Sequence, residues 1–258
     1  MNFEEMKRYL VEAAERAGLR EYEIYAMKDR NVSTETLRHE ISNFSLGESG
    51  GISFRCIVDG KMGYASSELL TREEMEALVD RAVDNARNIE NDDEVMIFPG
   101  SPSYPPCETE APQLPDAADM KRWAMDLQEA AYANHPSVSD GTQSAVMAYE
   151  CEIMLCNSHG LDLSNHVGIT GAYSDVIVKE GEDAESEVAV RKGRCYEDFA
   201  DLPAKAVEKA RAHLGAGTLA SGKMDCVISG DQMRALLATF SSVFSAKQVQ
   251  MGMSLLRG

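Results

Sequence analysis

The chain has 258 residues, with 25 Lys and Arg against 43 Asp and Glu, a net charge of −18. That balance argues against nucleic-acid binding, which draws its affinity from clustered Lys and Arg. No apolar run approaches the roughly 18–20 residues that cross a bilayer. Glu4, Glu5, Lys7 and Arg8 break up any signal-peptide core, and six cysteines are too sparse for a disulfide scaffold. A cytoplasmic, acidic, globular protein is expected.

Phe3, Met6, Leu10, Ala13, Ala14 and Ala17 recur at helical spacing, with Gly18 as the stop. Two strands are expected next, Glu23–Met27 and a polar, alternating Val32–Phe44. The clearest hairpin is 52–66: Ile52, Phe54, Cys56 and Val58 share a face, Asp59-Gly60 turns, and Met62, Tyr64 and Ser66 return. Thr71-Arg72-Glu73-Glu74 reads as a capping box. It opens a helix whose stripe of Met75, Leu78, Val79, Ala82, Val83 and Ala86 covers one face of the preceding sheet.

Six of the eight prolines fall between Asn88 and Pro115, so this stretch cannot donate a regular ladder. Val95, Met96, Ile97 and Phe98 favour an arm lying on its own protein over a disordered linker. A helix over about 119–134 follows, with Trp123, Leu127 and Ala130 inward. Strands are then expected at 145–157 and 161–179, joined by Ser158-His159-Gly160, with another at 187–192. A helix is expected over 203–213, a short strand at 225–229 and an apolar helix at 231–244. The fold class is α+β, with domains at 1–90 and 119–258 joined by a connector at 91–118. The apolar ending through Val249, Met251, Met253, Leu255 and Leu256 is expected to need a further C-terminal domain as cover.

Chemistry is hard to find. Gly217 to Met224 nearly spells a phosphate loop, but Met224 replaces the metal-holding hydroxyl, and a helix precedes where a strand is required. Cys151, Cys156, His159 and His166 lack the tight knuckle of structural zinc. Ser241 and Ser242 have no nucleophile elbow around them, and Glu180 to Glu187 reads as a solvated loop.

Several stretches in order resemble the TldD/PmbA family of bacterial and archaeal peptidases, once called modulators of DNA gyrase. Residues 51–66 resemble its G-x-x-x-R-x-x-x-[DN]-G-x-x-G-[FY]-A-[ST] segment, and Asn157-Ser158-His159-Gly160 resembles its N-S-x-G turn. Ser221-Gly222-Lys223, Phe244-Ser245-Ala246 and residues 249–256 resemble the PmbA (TldE) branch. The resemblance implies a two-component metalloprotease acting on unfolded peptides, in which a TldD-type subunit carries zinc on H-E-x-x-x-H. Aligned without gaps, Ala238 and Val243 stand where the histidines would be and Thr239 where the glutamate would be, and no histidine follows His213. The chain is therefore expected to hold no cofactor of its own and to act as the non-zinc subunit. Its partner would be a TldD-type subunit or a second copy, with Asn157, Ser241, Ser242 and Phe244 as substrate or partner contacts. The rival expectation is a non-proteolytic interaction or scaffold protein.

Overall fold

The computed structural model describes residues 1–90, 94–104 and 113–256. They fall into two compact units, Met1–Gly215 and Ala216–Gly258. The first is built on an antiparallel sheet of six strands in the order β3-β2-β1-β4-β5-β6, confirming the mixed α+β class.

Helix α1 (Phe3–Arg16) opens on Asn2, whose side chain accepts the Glu5 N–H while the Glu5 carboxylate reaches back to the Asn2 N–H. Strand β1 (Tyr22–Leu37) then runs unbroken where two shorter strands were expected. It turns at Arg38-His39 into β2 (Glu40–Val58), so the expected Val32–Phe44 strand is in fact the two arms of a hairpin. Asp59-Gly60 turns into β3 (Lys61–Ser67) as the sequence indicates, both at positive φ. Helix α2 (Arg72–Asn88) is capped by Thr71, but the Glu74 carboxylate pairs with Arg81 instead of closing the expected box.

The second half repeats the plan. Helix α3 (Ala117–Asn134) leads into β4 (Gln143–Asn157), β5 (Asp162–Glu180), β6 (Asp183–Gly193) and helix α4 (Leu202–His213). The acidic stretch 180–187 is a tight turn entering β6, not a loop. Val32↔Leu46 in the first half corresponds to Glu152↔His166 in the second, a displacement of 120 residues in both strands (32 to 152, 46 to 166). The central pair Arg30↔Glu150 is displaced by the same amount (30 to 150), so a local dyad passes between them. The α-β-β-β-α unit thus occurs twice. The expected boundary between 90 and 119 separates the copies, while the β1–β4 ladder carries the sheet across it.

Both helix pairs lie on one face: strand side chains alternate, and the positions they bury include Ile24, Ile52, Val146 and Val176, all even-numbered. Under α1 and α2 sit Met6, Leu10, Ile24, Ile52, Phe54, Met75, Leu78 and Met154. Under α3 and α4 sit Met120, Trp123, Leu127, Val146, Val176, Phe199 and Val207. Inward on α3 are Ala124 and Ala131; Ala130 is only partly buried.

The second unit contains α5 (Gly230–Thr239), a 3-10 turn (Ser241–Phe244) and α6 (Ala246–Gln250). The short strand expected at 225–229 is irregular chain. The expected 231–244 helix stops at Thr239, where the Thr239 hydroxyl donates to Ala235 O and the Ser241 hydroxyl to Ala238 O. Such local bonds compete with continued helix. Among the described residues of this unit only Ser254 is buried, while Leu236, Leu237, Phe240, Phe244 and Leu255 are exposed.

Candidate functional site

The face of the sheet opposite the helices is one candidate surface. The registers place Tyr25, Met27 and Asp29 of β1 there, with Met147, Tyr149 and Cys151 of β4 and Val167 and Ile169 of β5. Tyr25, Met147, Tyr149, Val167, Ile169 and Val190 are all exposed. A shallow depression of about 360 Å³ lies between Tyr25 and Tyr64, floored by Ser53 and Ser66.

Several of its polar groups are paired. The Tyr149 hydroxyl donates to Asp29, and that bond, with Cys151 beside it, keeps the phenol protonated far above its ordinary range. Arg55, from the family-like hairpin, pairs with the nearly buried Glu23. Burial pushes the thiols of Cys56 and Cys156 up to about 11, and burial plus the Asp29 bond raises that of Cys151. A thiol held above neutral pH is a poor nucleophile and a poor metal ligand. This surface is equipped to hold a partner or a chain, and it has no activated nucleophile among the described residues.

Between the two helix pairs, on the other face, lies a polar belt. Arg30 reaches Glu48 and Glu150, and the His166 imidazole bonds Glu150 at 2.7 Å, beside a depression of about 380 Å³ lined by Lys28, Arg30, Glu48, Glu150 and Glu152. His166 is thereby engaged away from Cys156, which belongs to the core under α1 and α2. Cys151 and Cys156, five apart on β4, face opposite ways. Among the described residues no three His, Cys, Asp or Glu side chains are grouped to hold a metal.

Asn157 has a structural occupation. Its Oδ1 accepts the N–H groups of His159 and Leu161, fixing the β4–β5 turn, and its Nδ2 donates to Phe98 O at 2.7 Å. With Ile97 buried, this anchors the described part of the connector as the expected arm; residues 91–93 and 105–112 lie outside the described residues. Asn157→Ala is expected to cost about 2 kcal/mol through three lost bonds around a half-buried turn. It should also speed proteolytic cutting between Val95 and Tyr104. Unchanged cutting would show that the arm is held by Ile97 alone.

Ser241, Ser242 and Phe244 lie together on the 3-10 turn, in the second unit. Ala238 and Thr239 end α5, and Val243 is on that turn, so the six aligned positions do not share one helix. A methyl and an isopropyl group have no lone pair for zinc, and the Thr239 hydroxyl is committed to Ala235 O. These side chains do not fit a zinc ion.

Two family models match the chain: PmbA/TldA metallopeptidase domain 1 over residues 22–86, and the PmbA/TldA metallopeptidase central domain over residues 110–214. The chain belongs to the PmbA/TldA metallopeptidase family. The first match spans β1 to α2 of the first copy, and the second spans the whole second copy from α3 to α4. Among solved structures, a protein named as a modulator of DNA gyrase from Thermotoga maritima superposes with a TM-score of 0.80 at 20% identity, over 100% of this chain and 59% of that one. One of the same description from Bacteroides thetaiotaomicron gives 0.80 at 21%, over 99% and 60%. TldE from Thermococcus kodakarensis gives 0.70 at 16%, over 98% and 58%. At these identities the likeness is one of fold, and the chain spans about 60% of the length of the first two. No curated protein matches.

Proposed function

We propose that this PmbA/TldA family chain is a PmbA/TldE-type subunit of a two-component metalloprotease, holding unfolded peptide for a TldD-type partner that supplies the zinc. The observation that carries this reading is the chemistry at positions 238, 239 and 243. Where a hydrolytic centre of the H-E-x-x-x-H kind needs two imidazoles and a carboxylate, this chain has Ala238, Thr239 and Val243. The open sheet face, apolar and hydroxyl-bearing, with Asp29 bonded to Tyr149 and Arg55 paired with Glu23, supports a positioning role over a chemical one.

Metal content and peptidase activity of the purified chain test it, alone and with a TldD-type subunit carrying H-E-x-x-x-H. The expected result is negligible zinc and no cleavage of an unstructured peptide by the chain alone, and chelator-sensitive cleavage by the pair that exceeds the zinc subunit alone. Zinc near one per chain in the isolated protein would overturn the reading. Failure to bind the TldD-type subunit would favour the non-proteolytic interaction role.

A further inference from the structure

The internal duplication allows equivalent strand edges to be compared within one sheet. Because β3 pairs with β2 only over Ile52–Val58, residues 41–51 of β2 have no strand on their outer side among the described residues. In the second copy β6 pairs with β5 only from Thr170 onward, leaving 162–169 similarly open. An open edge is a template for another strand, and proteins blunt it with charge. On β5 this is done by Asp162, paired with Lys7, and by His166, paired with Glu150. The outermost strand β6 carries Asp183, Glu185, Glu187, Arg191 and Lys192. Residues 41–51 hold a single charge, Glu48, and present Phe44 and Leu46, 38% and 57% exposed.

The backbone direction of this edge follows from one bond. Ile57 N–H donates to Glu21 O, toward β1, so odd-numbered β2 residues from 43 onward bond inward and Phe44, Leu46, Glu48 and Gly50 direct their N–H and C=O groups outward. An antiparallel second copy placed about Leu46 would set Leu46 against Leu46 of the partner subunit and Phe44 against Glu48 of the partner subunit. Each such pair exchanges two backbone hydrogen bonds. On the other face Ser45 would meet Gly47 of the partner subunit, a small pair that admits close approach. Lys121, on α3, already sits 4.2 Å above the Phe44 ring, and would face Glu48 of the partner subunit. The edge is thus complementary to itself in backbone, size and charge.

We infer that residues 43–49 of β2 form an isologous interface in which a second copy of this chain extends the sheet edge to edge. This is independent of the proposed protease role. One strand pair is a small interface, and two chains of charge −18 repel, so a reversible dimer with a micromolar dissociation constant is expected, tighter at moderate salt.

Sedimentation velocity of the full chain, from about 1 to 100 µM, is the test. Leu46→Lys places two like charges on the dyad at an already exposed position, and should weaken the dimer at least about tenfold with an unchanged circular dichroism spectrum. Glu48→Lys should weaken it too, and Glu48→Lys combined with Lys121→Glu should restore it, which a merely damaged fold would not do. A wild-type chain monomeric throughout the range overturns the inference. So does a dimer indifferent to Leu46→Lys, a double variant that fails to recover, or association with a TldD-type subunit alone.

Discussion

Gly63→Ala is expected to lower stability by about 3 kcal/mol, the upper end of what overpacking costs, and to reduce Tm by about 6–12 °C for a protein of this size. Gly63 lies on β3, opposite Cys56, directly beneath α2. A Cβ there would sit 1.9 Å from Ala82 O and 2.7 Å from the Ala86 methyl. Both belong to α2, and a carbonyl oxygen of a helix cannot swing aside as a side chain tip can. The helix would have to lift from the strand, opening the core formed by Phe54, Met75, Leu78 and Ala82. Gly60→Ala is the informative control. Gly60 has φ of +78° and open space around it, so alanine there costs only the left-handed backbone penalty, about 1 kcal/mol. Equal melting temperatures for the two variants would show that α2 and β3 do not approach as closely as described.

The same position shows what a sequence can reveal. The 52–66 hairpin, its Asp59-Gly60 turn and the covering helix α2 were legible, because alternation, turn chemistry and helical periodicity agreed there. What hid was the continuity of β1. Lys28, Asp29, Arg30 and Asn31 form a polar stretch that reads as a gap between two strands. Lys28 and Arg30 cross the belt between the two helix pairs, and Asp29 and Asn31 lie on the face no helix covers, so burial does not require any of them to be apolar. The duplication was equally hidden. It resides in pairing register, and aligned positions such as Val32 and Glu152, or Thr34 and Met154, share no chemistry.

The site was less legible than the fold for a related reason. Alternation in a strand identifies two faces without saying which one a helix will cover, so the open face with Tyr25, Met147 and Ile169 emerges only once both helix pairs are placed on the other. Asn157 drew attention through a family-like turn, and its polar atoms proved to be committed to that turn and to Phe98 O. Ala238, Thr239 and Val243, in contrast, carry their meaning in their identity alone.

Gln128→Leu is expected to cost about 3 kcal/mol, although it keeps the side chain's size and adds apolar surface to the core. The β1–β2 turn is made by Arg38 and His39 at φ of 53° and 64°, a left-handed conformation that residues other than glycine adopt at a cost of about 1–2 kcal/mol each. Such a turn gives no Asn-Gly signal in the sequence and persists because its surroundings hold it. Gln128, fully buried on α3, accepts the His39 N–H at 2.9 Å and donates to Thr142 O at 2.8 Å. The His39 ring stacks on Tyr132 with centroids 4.3 Å apart, and its Nδ1 bonds Glu129 at 2.7 Å. Leucine would leave the buried Thr142 carbonyl and the part-buried His39 N–H without these partners, and losing both bonds is worth about 3 kcal/mol together. The stacking and the Glu129 bond would remain, so the loss is specific to the two backbone groups. Urea unfolding gives the magnitude, and hydrogen exchange at the His39 amide gives the cause. That amide should exchange slowly in the wild type and near the intrinsic rate in the variant. A loss under about 1 kcal/mol with the amide still protected would mean that the turn holds its left-handed shape without Gln128.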